Sequence, residues 1–498
     1  MLTKGISAVL GLAGLLLMTR YLSTEQYGTI TWTLAFLTMF NSVADLGFGT
    51  AHTKRVSEGH DLDACVSTFA YVKGLLTLAM VLLVLLAVGI LTITSEQALT
   101  ASSVQILLIL LIYQVLGALT SIATTTFDAR VQTAKSQLIF ICDPLVRIPL
   151  LAVVLTGGLG ITSVAHSYIA GGIGAIAVAS YLISKERIVW QRPTMIHSYA
   201  KWAIPMTAAV IAGAVISQLP IMTIGLFWPK SDVAYYSSSL FLLSYLGILG
   251  GSMMVLLFPT FSKLSIEGRF DDVRKASKMG ERYLSIISLP IVTVIMVFPS
   301  QIAVMLFGDE FLNAGKVLPY LAAATYIGLL NLTVSAQILG MNRVGLYMKW
   351  MYANLVLMVI LLIVLVPSRV LGMNALGLSY QGAAIASTIS AIVSYAIARW
   401  LTFNLTRAKP DPSILKHIVT AALVALIMYY ASSFYAASHW YDVAVYLLVS
   451  LGAFLSILYI IKEFTAQDIR FFLNNLNIGK LGRYVKEELS SDEEKRRQ

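Results

Sequence analysis

The sequence predicts an all-α polytopic membrane protein of about fourteen transmembrane helices, with two six-helix lobes built as a parallel repeat plus two extra C-terminal helices. Three observations predict it. Of 498 residues 58% are apolar and only 12% charged, and mean hydropathy is +0.80; a soluble domain carries about twice that share of charge. At about 20 apolar residues per span, this composition furnishes on the order of fourteen spans. The apolar residues also fall into separate runs, and a charged motif recurs at a long fixed interval.

The runs, bounded by charges or turn residues, lie at about 5–22, 28–49, 66–93, 99–126, 138–156, 159–184, 200–226, 233–258, 283–307, 316–340, 349–367, 380–403, 415–435 and 441–461. The second and third, seventh and eighth, and last two are split by weak signals, so twelve or thirteen spans are the alternatives. The first run, after Lys4, has the length of a signal peptide but no A-x-A-like cleavage site, and reads as a retained span. Residues 463–498 form a mixed-charge tail whose first half, Phe464 to Val485, reads as an amphipathic helix on the membrane surface.

The formal charge is +10. In a membrane protein excess Lys and Arg mark cytoplasmic loops rather than a nucleic-acid partner, and no nucleic acid is expected. With both termini in the cytoplasm, 29 of the 35 basic residues fall on cytoplasmic segments and helix ends. Four, Arg20, Lys230, Lys316 and Arg369, fall outside, and Lys73 and Arg147 lie within spans. Two cysteines, Cys65 and Cys142, make neither a disulfide framework nor a metal cluster. Neither a P-loop nor an H-E-x-x-H motif occurs, the loops are too short for a soluble catalytic domain, and no catalytic residue, metal or cofactor is expected. His166, alone in the sixth span, reads as a helix–helix hydrogen bond.

The recurring motif is K-x-x-x-E-G-x-x-x-D, at Lys54-Glu58-Gly59-Asp63 and again 209 residues later at Lys263-Glu267-Gly268-Asp272; Tyr27 and Tyr236 share the offset. Both loops are cytoplasmic in this topology and six spans apart, so the repeat is parallel. The expected division is 1–198 for the first lobe, 199–406 for the second, 407–462 for two additional spans and 463–498 for the tail. Two lobes about a central axis suggest a transporter with its substrate between them, or a channel of the same plan.

Three further segments carry a family resemblance. Thr19-Arg20-Tyr21-Leu22 through Tyr27-Gly28 resembles the end of the first span of polysaccharide flippases, and Ala44-Asp45-Leu46-Gly47 followed by Lys54 and Arg55 the end of their second. Leu306-Phe307-Gly308-Asp309-Glu310-Phe311, with Ala314 and Val317 to Leu321, is similar to their loop between spans nine and ten. The resemblance covers the chain through residue 462. It is to the oligosaccharidyl-lipid and polysaccharide branch of a superfamily that also holds multidrug (MATE) exporters and lipid II flippases. It implies transfer of a polyprenyl-(di)phosphate-linked oligosaccharide from the inner to the outer leaflet of the cell membrane, for surface glycan assembly. The implied partners are that glycan, membrane lipids and glycan-assembly proteins.

Such a substrate has an anionic, hydrated headgroup that must cross about 30 Å of hydrocarbon, so the cavity needs cations. Arg147 sits midway along the fifth span between Pro144 and Pro149, where a charge costs at least about 2.5–3.5 kcal/mol and should face protein or water. It either serves the cavity or pairs with Asp143 at i,i+4. Lys73 lines the cavity or, the favoured reading, snorkels to the headgroups. Arg20 anchors the outer interface, and the resemblance adds a cavity role. Asp45 either shapes the Gly47–Gly49 turn or gates. Lys54 and Arg55 stand at the cytoplasmic mouth, where they attract phosphate or only set topology. Pro220 suggests a hinge in the seventh span and Gln218 a polar wall, where many flippases of this branch carry an acid. Asn331, Gln337 and Asn354 are further polar candidates. A cation antiporter of the MATE branch is the competing reading, but 5–22 and 200–226 hold no Asp or Glu to attract cations. A glycan polymerase or ligase would need a long external loop, and the longest is about ten residues.

Overall fold

The computed structural model describes residues 2–94, 100–370, 372–407, 411–435, 437, 439–465 and 468. The first half holds α1 (Leu2–Tyr21), α2 (Thr24–Asn41), α3 (Phe48–Ser57), α4 (Leu62–Thr94), α5 (Ala101–Ala129), α6 (Thr133–Thr156) and α7 (Gly160–Ser184). The second holds α8 (Ile196–Phe227), α9 (Lys230–Ser244), α10 (Gly247–Ile266), α11 (Phe270–Val297), α12 (Pro299–Phe307), a 3₁₀ segment (Asp309–Lys316), α13 (Leu318–Gly340), α14 (Val344–Leu365) and α15 (Ser379–Thr406). A two-stranded hairpin, β1 (Arg369–Val370) with β2 (Met373–Asn374), joins the last two of these helices, and α16 (Pro412–Ala431) and α17 (Trp440–Ile460) follow. Among the described residues twelve helices are long and apolar enough to cross a membrane. α1, with its shorter apolar stretch Gly5–Tyr21, and α2 bring the segments to the expected fourteen. Large aliphatic side chains such as Leu82, Leu86, Val255 and Leu448 point outward, as a lipid-facing surface requires.

Three expected spans are not single helices. The second breaks between α2 and α3, where Leu46 (φ 45°) and Gly47 (φ 81°) take left-handed backbone. The eighth breaks at Tyr245–Leu246 between α9 and α10, and the ninth divides at Phe298 before Pro299 opens α12. Proline does not mark the breaks elsewhere: α6 continues through Pro144 and Pro149, and α8 is helical through Pro220, where a hinge is expected. The expected surface helix 464–485 lies outside the described residues except at 464, 465 and 468.

Capping fixes the starts. Ser23 and Gln26 form a reciprocal capping box on α2 (3.3 and 3.2 Å), and Thr100 accepts from the Ser103 N–H at the start of α5 (3.2 Å). The recurring motif ends two helices alike. α3 stops at Ser57 and α10 at Ile266. Gly59 N–H bonds Val56 C=O (3.1 Å) and His60 N–H bonds Arg55 C=O (3.3 Å). At the same offset Gly268 N–H bonds Ser265 C=O (3.2 Å) and Arg269 N–H bonds Leu264 C=O (2.9 Å). Both glycines are left-handed (φ 81° and 68°), the conformation such a helix end requires.

α5, α6 and α7 pack on one another, and α1 lies on α6; in the second half α13 packs against α10, α11 and α15, and α14 against α15. α2 runs along α9, and α8 touches α2 and α3 on one side and α14 and α15 on the other. α16 and α17 lean on α11.

Candidate functional site

Midway along α6 the Arg147 guanidinium meets the Asp143 carboxylate through Nη2 (3.1 Å) and Nε (3.3 Å). It lies over the Tyr168 ring of α7 (4.5 Å to the centroid), while the Tyr113 hydroxyl of α5 donates to Asp143 (3.4 Å). Gly171 makes this approach possible: a Cβ there would strike Asp143 Oδ1 and come within 2.9 Å of Arg147 Cβ. The ion pair foreseen from the i,i+4 spacing therefore exists, and its side chains stay 17% and 19% exposed.

The other candidates hold structural partners. Lys73 does not snorkel. It is 5% exposed and its ammonium reaches Asp45 Oδ1 at 3.4 Å, across the break between α2 and α3. Asp45 also accepts the Gly47 N–H through Oδ2 (3.2 Å), so the turn-shaping role is present. Burial draws the amine to the Asp45 carboxylate, and a long stem lets it reach. Lys54 stands over the Trp202 ring of α8 (3.4 Å) and lies 3.7 Å from Glu58. Arg55 pairs with Glu58 (2.7 Å) and donates to the Ser198 carbonyl (3.2 Å). Arg55 and Lys54 thereby tie α3 to the start of α8. Gln218 donates to its neighbour Ser217 (3.2 Å), and Pro220 is buried. Gln337 donates to Thr406 (3.1 Å), Asn354 accepts from Ser390 (2.8 Å), and His166 bonds the Thr162 carbonyl of its own helix rather than a neighbouring one.

The two halves meet at the end where α1 finishes and α2 begins. Arg20 donates to the carbonyls of Leu306 (Nε, 3.2 Å) and Met305 at the end of α12. Glu25 accepts the Ser231 N–H (2.9 Å), and Glu310 accepts the Thr24 N–H (3.3 Å). Lys230 caps the Gly225 carbonyl (2.5 Å) and lies over Trp32 (4.0 Å to the centroid). Gly28 and Gly225 allow this closeness, since a Cβ on the first would strike the Lys230 carbonyl and on the second the Trp32 ring. Nearer the other end, where α3 and the start of α8 stay in contact, a cavity of about 470 Å³ separates Ser7 and Gly11 of α1 and Gln137 and Phe140 of α6 from Phe241 and Tyr245 of the second half.

Sequence reasoning missed a second buried pair. Glu281 on α11 and Arg399 on α15 meet at 3.0 Å, 0% and 6% exposed at the side chain. Arg399 Nε and Nη2 and Gln337 Oε1 remain buried without partners among the described residues. Nothing in the sequence next to Arg399 links it to a residue 118 positions away. Beyond α17 the chain folds back: Asp468 is held by Arg282 (2.7 Å) and by the Thr465 N–H (2.8 Å). Burial alone would raise the Asp468 carboxyl, but these donors pull it down to about 2. No group of three or more His, Cys, Asp or Glu suited to a metal occurs among the described residues.

A family model described as "Polysaccharide biosynthesis protein" matches residues 17–316. The probable low-salt glycan biosynthesis flippase Agl15 of Haloferax volcanii is 20% identical over 386 residues, 76% of this chain and 77% of that protein. Among solved structures the chain is similar to the lipid II flippase MurJ in an inward closed conformation, with TM-score 0.76 and 14% identity over 93% of this chain and 98% of that one. It is also similar to an inward-facing multidrug resistance MATE transporter of the MOP superfamily, with TM-score 0.62 and 15% identity over 81% of this chain and 96% of that one. These two likenesses show that the chain shares the fold of those two proteins. Because the family model spans more than half of its length, the chain belongs to the polysaccharide biosynthesis protein family.

Proposed function

We propose that this multi-pass membrane transporter, not an enzyme, flips a polyprenyl-(di)phosphate-linked oligosaccharide from the cytoplasmic to the outer leaflet by alternating access. The observation that carries the reading is an uneven seam between the halves: Arg20, Glu25, Glu310 and Lys230 close it at one end, while toward the other a cavity separates α1 and α6 from Phe241 and Tyr245 and the halves stay in touch through α3 and the start of α8. Residues 1–198 and 199–406 act as the two lobes, and 407–462 flank the second. The Lys/Arg bias puts the Arg20 end outside and both termini in the cytoplasm. Arg147, partly exposed at mid-depth, attracts the phosphate and is kept from binding it too tightly by Asp143. Tight binding in both states would shift nothing. The Haloferax relative and the lipid II flippase fold support a lipid-linked glycan as cargo.

The test is reconstitution of the chain in liposomes with a labelled polyprenyl-diphosphate oligosaccharide whose leaflet is read by an impermeant glycosidase. Protein-dependent loss of protection supports the flippase. An unchanged distribution together with ion-driven efflux of a cationic dye would overturn it in favour of a MATE-type antiporter.

A further inference from the structure

A second cavity, of about 260 Å³, lies inside the second half between α8, α13, α14 and α15. Ser217, Asn331, Tyr347, Trp350, Asn354 and Ser394 line it, and no charged side chain among the described residues does. Its wall is fixed rather than loose. Trp350 donates from Nε1 to the Ser394 carbonyl (3.0 Å), and Tyr347 packs against the indole at 5.7 Å and 71°. The Asn354 carbonyl is engaged by the Ser390 hydroxyl (2.8 Å). The Asn331 carbonyl is not: Oδ1 is buried without a hydrogen-bond partner, a state that proteins rarely leave standing and that a ligand donor would relieve.

The repeat says where this cavity stands relative to the charged site. α6 ends at Thr156 and α14 at Leu365, again 209 residues apart, so the two helices are counterparts. At that offset Asp143 and Arg147 correspond to Tyr352 and Val356. The first half thus presents a charge pair at mid-helix, and the second half presents amides, hydroxyls and aromatic rings one turn along the equivalent helix. A phosphate would find no cation there. A sugar ring fits the chemistry: each hydroxyl both donates and accepts, as amides and serines do, and its C–H faces suit indole and phenol surfaces. Such a pocket, mostly apolar with a few placed polar groups, is typical of small-ligand sites.

We propose that this cavity is the subsite for an uncharged sugar of the headgroup, while Arg147 in the other half takes the phosphate, so that each half holds a different part of one substrate. The inference rests on the flippase reading, and its test separates the two. Gly213 lies on the α8 wall, where an added Cβ meets only Met351 Cε at 3.5 Å, an ordinary contact. Gly213→Leu therefore fills the cavity and removes a helix-interior glycine. Asn331→Leu deletes the orphaned carbonyl, a change that a purely structural role would leave neutral or stabilising.

The full chain and both variants are reconstituted with two probes, polyprenyl diphosphate bearing a short neutral oligosaccharide and bare polyprenyl diphosphate. Expected is a loss of about tenfold in flipping of the sugar-bearing probe, the worth of about 1.4 kcal/mol, with the bare carrier unchanged and thermal midpoints in detergent equal or higher. Equal losses for both probes, or no loss for either, overturns the subsite. If the unaltered chain moves neither probe, the flippase reading falls by itself, and the midpoint shift given by the free neutral oligosaccharide decides the subsite. A shift in the unaltered chain that is absent from both variants supports it, and no shift in the unaltered chain overturns it.

Discussion

Removing the Asp45 carboxylate strands the Lys73 ammonium in the packing of α4. Breaking a fully buried pair costs roughly 3–5 kcal/mol, and less here because Asp45 is about one-third exposed and screened by solvent. Asp45→Asn should lower the thermal midpoint in detergent, and adding Lys73→Met should recover most of it. The Glu281–Arg399 pair has no such exposure, so either single neutralisation should cost roughly 3–5 kcal/mol, whereas Glu281→Met with Arg399→Leu should be neutral or stabilising. For Arg147, Lys should retain part of the transport and Gln little, because Lys keeps the charge without the fork. Full rescue by Asp143→Asn with Arg147→Gln would mean that the pair is only structural. The Asp143–Arg147 pair was legible because one helix carries both residues four positions apart. Lys73–Asp45 and Glu281–Arg399 were not, because their partners meet only once separate helices have packed, and a lysine two turns inside a span reads equally well as snorkelling.

At the scale of elements the helix runs were legible and their breaks were not. Apolar composition is continuous across Tyr245–Leu246, and the chain departs from helix there without a proline, while α6 and α8 absorb prolines and go on. The α2–α9 contact rests on Gly28, whose added methyl would meet backbone that has nowhere to move. Gly28→Ala should therefore hold that end apart. In a Cys65- and Cys142-free background, disulfide formation between Glu25→Cys and Ser231→Cys should fall by about tenfold relative to the Gly28 parent, about 1.4 kcal/mol of lost closure. The fold-back after α17 should respond to acid. Asp468 has an ordinary carboxyl value near 3.9 once undocked and about 2 when held by Arg282. The dock is fully stabilised above about pH 4 and loses that contribution as pH falls toward 2. The protection of the Thr465 amide, its exchange rate measured relative to the intrinsic rate at each pH, should fall across that window and should already be low at neutral pH in Asp468→Asn.

For the whole molecule, the repeat sets the sharpest topological expectation. Single cysteines at Gly59 and at Gly268, which end α3 and α10 with the same left-handed cap, should be shielded together from an impermeant thiol reagent in intact cells. Labelling of one site and not the other would break the parallel arrangement. The number of membrane segments and the repeat were legible because hydropathy and a fixed offset survive in one dimension. The latch at Arg20 and Glu25 was not, because it depends on contacts between residues more than 200 positions apart. Those contacts share a property. Arg20, Glu25 and Glu310 each reach across to a main-chain carbonyl or N–H, not to another side chain. Every residue type except proline offers the same main-chain groups, so the receiving positions are free to drift while the latch persists. A search for paired substitutions between the two halves, in however many relatives, should find no trace of it at these three residues; the closure is inherited one side at a time.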